Sequence, residues 1–340
     1  MKIGTIAASC KLSWRLLDGL VERLFSEYIM LIDPVTNLGL AAESVKSYNI
    51  GELVRRLHDD DEPELLPYGY IIGDIRNIRV SLADVVDTLA FQTLIPRSII
   101  QRYVSMVREH KHVIISGPAS CGKTTIANKI ADVLSSPTLA VKTFTFTRDN
   151  IEELETFLED AKNNIVIINN LQHAENLDSL LQRLSSPETH LPFIIGTMTQ
   201  TSGATTDLQL KCNFRWILFA NHIEPVRGFL GRSLRQSLLK IEVDSRIHDS
   251  EMFSVIEWVS KSFVIINKFL ESHCSQDVSL SPQTYLKCPM DSNASRLWFI
   301  NLWNLNLGNN ISSSSLVSVF ICQNLDFDPD KLLHLNCVQQ

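Results

Sequence analysis

With 340 residues, 45% of them hydrophobic and 20% charged, the chain has the make-up of a globular protein with room for two or three domains. Its formal net charge of −7 supplies no overall basic field, which argues against nucleic acid or acidic lipid as the principal partner. No run of about 18 apolar residues occurs, so no membrane span is expected, and the opening Met1-Lys2-Ile3-Gly4-Thr5-Ile6 lacks the apolar core and cleavage site of a secretory signal.

Residues 1–90 read as a small α+β domain. A candidate strand, Lys2 to Ala7, precedes an amphipathic helix with Trp14, Leu17, Val21, Leu24, Phe25 and Tyr28 at helical spacing, and Asp33-Pro34 breaks that helix. Gly69 to Gly73 and Ile78 to Leu82 read as a hairpin-like pair of short strands. The acidic run Asp59-Asp60-Asp61-Glu62, followed by Pro63, reads as a solvated loop, with a charge-mediated partner site as the alternative.

Residues 91–245 alternate strands with helices. Apolar runs at 112–116, 138–146, 165–168, 193–198 and 215–220 predict strands, and helix patterns fill 123–134, 151–161 and 176–185. Such alternation predicts a parallel sheet with right-handed crossovers and a ligand beyond the strands' carboxyl ends. From 246 to 304 the chain turns helical, with Met252, Val255, Ile256, Val259, Phe263, Ile266 and Phe269 in one apolar stripe and a further helix from Ala294 to Trp303. Residues 305–340, opening on a Gly/Asn/Ser-rich stretch, read as a poorly ordered tail.

The chemistry concentrates at Gly117-Pro118-Ala119-Ser120-Cys121-Gly122-Lys123-Thr124-Thr125, which fits the G-x-x-x-x-G-K-[ST] phosphate loop between a strand and a helix. Glycines allow backbone N–H groups to close on phosphate oxygens, and the helix directs its positive end at the same anion. Lys123 would neutralise the β/γ-phosphates of ATP, and Thr124 would ligate a nucleotide-bound Mg²⁺. Cys121 could be thiolate-prone beside Lys123, but a small residue that merely fits the loop is the better reading. The seven cysteines are scattered without a C-x-x-C pair, which points to a reduced, cytoplasmic protein without a zinc site.

A hydrolytic P-loop site also needs an acid at the end of a neighbouring strand, and the strand Ile165 to Ile168 runs instead into Asn169-Asn170. An amide can accept hydrogen bonds but brings no negative charge and is no general base. Nucleotide binding is therefore expected, with weak hydrolysis; Glu175 and Asp178 remain alternative acids. A further apolar strand ends in Asn221, which could orient a water or the γ-phosphate or simply serve a turn. Arg232, just after Gly231 at an expected exposed helix start, suits insertion into a neighbour's nucleotide site, and Arg296 could reach the nucleotide from a helical lid. Both could equally be surface arginines.

Asn213 to His222, then Glu224-Pro225-Val226-Arg227-Gly228-Phe229-Leu230-Gly231-Arg232, resemble the carboxyl-terminal AAA+ module of the neuron navigators, as do Pro192 to Met198, Leu208-Gln209-Leu210 and Ser295-Arg296-Leu297-Trp298-Phe299. Ile32 to Leu40 and Leu66 to Tyr70 resemble the segment preceding that module, so the similarity covers about residues 1–304. It implies a AAA+ αβα nucleotide-binding domain with a helical lid, ATP and Mg²⁺ as cofactors, and self-association. It also implies a cytoplasmic, cytoskeleton-associated setting linked to microtubules and actin, in cell migration and axon guidance. Under that resemblance Asn221 matches the first sensor, Arg232 the arginine finger and Arg296 a second sensor, while Asn169 replaces the family's Asp and Asn170 keeps its Asn. The alternative is a nucleotide-stabilised pseudo-ATPase scaffold for protein–protein interaction.

Overall fold

The computed structural model describes residues 2–71, 73, 75–147, 150, 153–174, 177–184, 192–199, 213–219, 224–273 and 281–302, with the side chains at 178 and 269–273 outside that set. The expected tail and Asn221 lie outside the described residues. The chain divides into two compact units, Met1–Phe229 and Leu230–Gln340.

The first unit opens with helix α1 (Trp14–Ile32), whose N-cap Ser13 accepts from the Leu16 amide and whose end falls at Asp33, before Pro34. Its stripe of Trp14, Leu17, Val21, Phe25, Tyr28, Ile29 and Ile32 is buried, and large apolar side chains of this kind stabilise by about 1.5–3 kcal/mol each. It accompanies an antiparallel sheet of order β2-β1-β3, made of β1 (Val45–Ile50), β2 (Leu53–Arg56) and β3 (Ile78–Leu82). Ile50 and Leu53 are cross-strand partners, so β1 and β2 form a tight hairpin through Gly51, whose φ of 62° suits glycine.

Two expectations are corrected here. Lys2 to Ala7 forms no strand, having no ladder partner among the described residues to satisfy its backbone. Gly69 and Tyr70 do not begin a strand either: Pro67–Tyr70 is a 3₁₀ turn begun by Pro67, and β3 pairs with β1 instead, while residue 72 lies outside the described residues. The acidic loop is tied down from beneath. Arg55 donates to the Asp59 and Asp61 carbonyls, each at 2.8 Å, and pairs at 3.0 Å with Asp18, which also accepts from the Tyr48 hydroxyl at 2.8 Å.

Helices α2 (Val85–Thr93) and α3 (Arg97–His110) lead into a five-stranded, wholly parallel sheet. Its strands are β4 (His112–Gly117), β5 (Val141–Thr145), β6 (Ile165–Asn169), β7 (Phe193–Thr199) and β8 (Arg215–Leu218), in spatial order β5-β6-β7-β4-β8. Helices α4 (Lys123–Leu134), α5 (Glu153–Asp160) and α6 (Leu177–Leu184) supply crossovers, as the alternating pattern predicts. The β6 residues are all buried, which is why that strand reads as a continuous apolar run. Together these elements make an α/β P-loop fold preceded by a small α+β domain.

The second unit comprises α7 (Phe229–Ser245), α8 (Ser250–His273), the single turn α9 (Pro282–Tyr285) and α10 (Ser292–Leu302). Met252, Ile256, Val259, Phe263 and Ile266 of α8 are buried, and Trp258 meets Phe299 of α10 edge to face at 4.6 Å between ring centroids. Among the described residues, no helix is long and apolar enough to cross a membrane.

Candidate functional site

Strand β4 carries the chain to Gly117 at the carboxyl edge of the sheet, and α4 begins at Lys123 after a turn in which Ser120 (φ 59°) and Gly122 (φ 95°) take left-handed conformations. Gly122 is the N-cap of α4, so the first amides of that helix open onto the loop without a side-chain cap of their own. Ala119, Ser120, Thr124 and Thr125 are exposed, Pro118 is half-buried, and Gly117, Cys121 and Lys123 are buried. The Lys123 ammonium donates to the Gly117 carbonyl at 3.0 Å and also to that of Pro118. Burial lowers its pKa, with the neighbouring Cys121 opposing. Burial likewise raises the Cys121 pKa, outweighing the pull of Lys123, which disfavours a thiolate there and agrees with Cys121 being a small residue that fits the loop.

Beside the loop, β6 ends in Asn169, which is 6% exposed. Its side-chain carbonyl accepts from the Thr124 hydroxyl at 3.2 Å and from the Thr197 hydroxyl at 2.9 Å. The next residue, Asn170, takes a left-handed backbone (φ 61°), which asparagine tolerates, and its N–H donates to Thr197 Oγ1 at 3.4 Å. A chain of donors thus runs from the Asn170 amide through Thr197 to Asn169, and Thr124 joins from the first turn of α4.

Gly196 makes room for this turn: a Cβ there would stand 2.5 Å from Leu171 Cδ1, in the 3₁₀ turn Leu171–His173 that follows Asn170. Thr197 is the contributor that the sequence conceals. It belongs to β7, which lies between β4 and β6, whereas β8, the strand leading toward Asn221, flanks β4 on its other side. The alternation of threonines at 197 and 199 is a signal of sorts, but only the strand order shows that Thr197 reaches Asn169.

The remaining candidates separate from this cluster. Glu175 lies outside the described residues, as does the Asp178 side chain. Arg232 sits in α7 at 2% exposure, not at an exposed helix start as expected, because that face of α7 is packed. Arg296, in α10, is exposed and donates to Glu251 of α8 at 2.9 Å. Among the described residues, no group of three or more His, Cys, Asp or Glu side chains could hold a metal ion.

A parallel sheet carrying a strand–loop–helix phosphate cradle, accompanied by a helical unit, defines a P-loop NTPase module of the AAA+ kind. Family models agree along the chain: residues 1–83 match a neuron navigator 1-like ubiquitin-like domain, 94–200 the novel STAND NTPase 3 family, and 239–315 a NAV1-like AAA+ ATPase lid domain. The lid match runs past Asn304, where the resemblance read from the sequence stops.

The chain is 40% identical to human neuron navigator 2, covering 90% of this chain and 13% of that protein. It is also 40% identical to Drosophila melanogaster protein sickie, over 88% of this chain and 14% of that one. The Caenorhabditis elegans adapter protein unc-53 is 27% identical over 86% of this chain and 19% of its own. A solved structure of the Thermotoga maritima RuvB Holliday junction branch migration motor is similar at 14% identity and TM-score 0.31, over 56% of this chain and 74% of that one. The chain belongs to the neuron navigator family, and it spans between 13% and 19% of the length of the curated relatives it matches.

Proposed function

We propose that this module binds ATP at Gly117–Thr125 and holds it with slow or no hydrolysis. Mg²⁺ would reach it through the nucleotide, with Thr124 as its protein ligand. The observation that carries this is the Thr124–Asn169 hydrogen bond of 3.2 Å. It shows the hydroxyl of the loop meeting the strand-end residue where a carboxylate would stand in a hydrolytic site, but meeting an uncharged amide. The loop residues fit a triphosphate: two left-handed residues turn the backbone, the helix start is uncapped, and a buried ammonium stands among them.

Lys123 would exchange its contacts with the loop's own carbonyls for the β/γ-phosphates. Asn169 would accept the Thr124 proton, leaving the hydroxyl's lone pairs for the metal. What the described site does not offer is a base to take a proton from an attacking water. By family resemblance the module would act inside a cytoplasmic, cytoskeleton-associated protein near microtubules or actin, with self-association, and with Asn221, Arg232 and Arg296 in the sensor and finger roles. A scaffold whose fold is stiffened by nucleotide is the second reading, favoured by the same uncharged Asn169.

Titration of ATP into the purified chain by calorimetry tests the proposal. Binding that disappears in Lys123→Ala, with the variant still folded by circular dichroism, supports it. Binding that Lys123→Ala leaves intact, or no binding at all, overturns it.

A further inference from the structure

The nucleotide reading above leaves open what the amide at Asn169 does that a carboxylate would not. Its carbonyl oxygen is committed to two hydroxyl donors, Thr124 and Thr197. The Thr197 hydroxyl already accepts from the Asn170 N–H, so its own proton is free to go to Asn169. With both hydroxyls donating, the Asn169 oxygen faces Thr124 and Thr197. Its nitrogen then faces away from both hydroxyls with its two protons, on a side chain 6% exposed beside the first turn of α4. An amide nitrogen left with both protons can donate to an anion bound beside it. The anions expected at this place are phosphate oxygens.

The donor set is correspondingly poor for a metal. Mg²⁺ is ordinarily held by one or two carboxylates together with phosphates and waters. The side-chain oxygens of the described loop residues Ser120, Thr124 and Thr125, and of Asn169 beside them, are all neutral hydroxyls or amides.

We propose that Asn169 makes this a phosphate-binding site whose affinity for nucleotide is largely independent of Mg²⁺, and that Thr197 is the positioning residue that keeps the Asn169 amide nitrogen available to the anion. A carboxylate at 169 would reverse both properties: it would repel a metal-free triphosphate and recruit Mg²⁺ to offset that repulsion.

The test is the dissociation constant of ATP measured by calorimetry in excess EDTA and in excess Mg²⁺, for the full chain and its variants. For the native chain the two constants should agree within about threefold, a difference well under the tenfold that 1.4 kcal/mol represents. Asn169→Asp should weaken binding in EDTA by at least about tenfold and make it strongly Mg²⁺-dependent. Thr197→Val should weaken binding in EDTA, and Thr197→Ser, which keeps the hydroxyl, should restore it; a purely packing role would make Val the milder change. Native binding that strengthens more than threefold with Mg²⁺, or an Asn169→Asp variant that binds as well in EDTA as the native chain, overturns the inference while leaving the nucleotide site standing. No ATP binding in either buffer would overturn the site itself. Should Thr197→Val fail to fold, the native chain and Asn169→Asp decide the matter alone.

Discussion

Thr197 Oγ1 lies 2.9 Å from Asn169 Oδ1, and this hydrogen bond joins two parallel strands at the edge where the phosphate loop opens. It makes the candidate site a three-strand construction: β4 brings the loop, β6 the amide and β7 the hydroxyl that orients it. The turn after β6 depends on the same strand, because Leu171 packs where a side chain at Gly196 would stand.

Gly196→Ala should therefore destabilise the module. Its Cβ would meet Leu171 Cδ1 at 2.5 Å and Ile114 Cγ1 at 3.2 Å, and overpacking of this kind costs about 1–3 kcal/mol. On a Leu171→Ala background the same change should cost well under 1 kcal/mol, because the principal clash is gone. Urea midpoints of the four chains give the cycle; an equal cost on both backgrounds would show that Leu171 is not the obstacle.

The Asp18–Arg55 pair in the small domain is almost wholly buried, both side chains being 3% exposed. Arg55→Leu leaves the Asp18 carboxylate without its partner and releases the Asp59 and Asp61 carbonyls, so a loss of about 3–5 kcal/mol is expected. Replacing both, as Asp18→Asn with Arg55→Met, should cost markedly less than Arg55→Leu alone. Thermal or urea unfolding reads the difference, and a single variant as stable as the double would contradict the account of this pair.

Burial raises the pKa of Tyr28 to about 12 from an ordinary value of 10.0. The folded state thus favours the neutral phenol. Its stabilisation is complete below pH 10 and is lost as pH rises from 10 to 12, because the unfolded chain releases the proton first. Over that window the loss approaches about 2.7 kcal/mol. Tyr28→Phe, which cannot ionise, should lose less stability than the native chain between pH 8 and pH 11. Urea midpoints at the two pH values check this, and a native-like fall in the Phe variant would assign the alkaline loss elsewhere.

Arg232 is buried in α7, so Arg232→Ala should cost at least about 2 kcal/mol through lost packing and lost polar contacts. Arg296→Ala, which removes an exposed pair with Glu251, should change stability by less than about 1 kcal/mol. Scanning calorimetry separates the two. An Arg232→Ala chain as stable as the native one would contradict this account of the buried side chain.

Much of this architecture was legible because its signals are local. Continuous apolar runs marked β4, β6 and β7, since strands covered on both faces need no alternation, and the phosphate loop announced itself between a strand and a helix. Asn169 could be named as the missing acid from its place after Ile168. Other features depend on partners distant in sequence. The apolar alternation at Lys2 to Ala7 looked like a strand but finds no ladder among the described residues, while the β1–β2 hairpin around Gly51 went unread. Thr197 was hidden because its role follows from β7 lying between β4 and β6, an order that no local pattern encodes. Arg232 looked like a surface residue because a lone arginine in a helix usually is one, and only tertiary packing buries it.

The central claim, that this site holds nucleotide more readily than it cleaves it, is tested most directly by measuring ATP binding and steady-state turnover on one sample, with Asn169→Asp alongside. Saturable binding with turnover far below about 1 per second, the lower end of common enzyme rates, and a clear rise in rate for Asn169→Asp is the result expected. Turnover of the native chain at about 1 per second or faster would contradict it, because the uncharged Asn169 would then be no obstacle to hydrolysis.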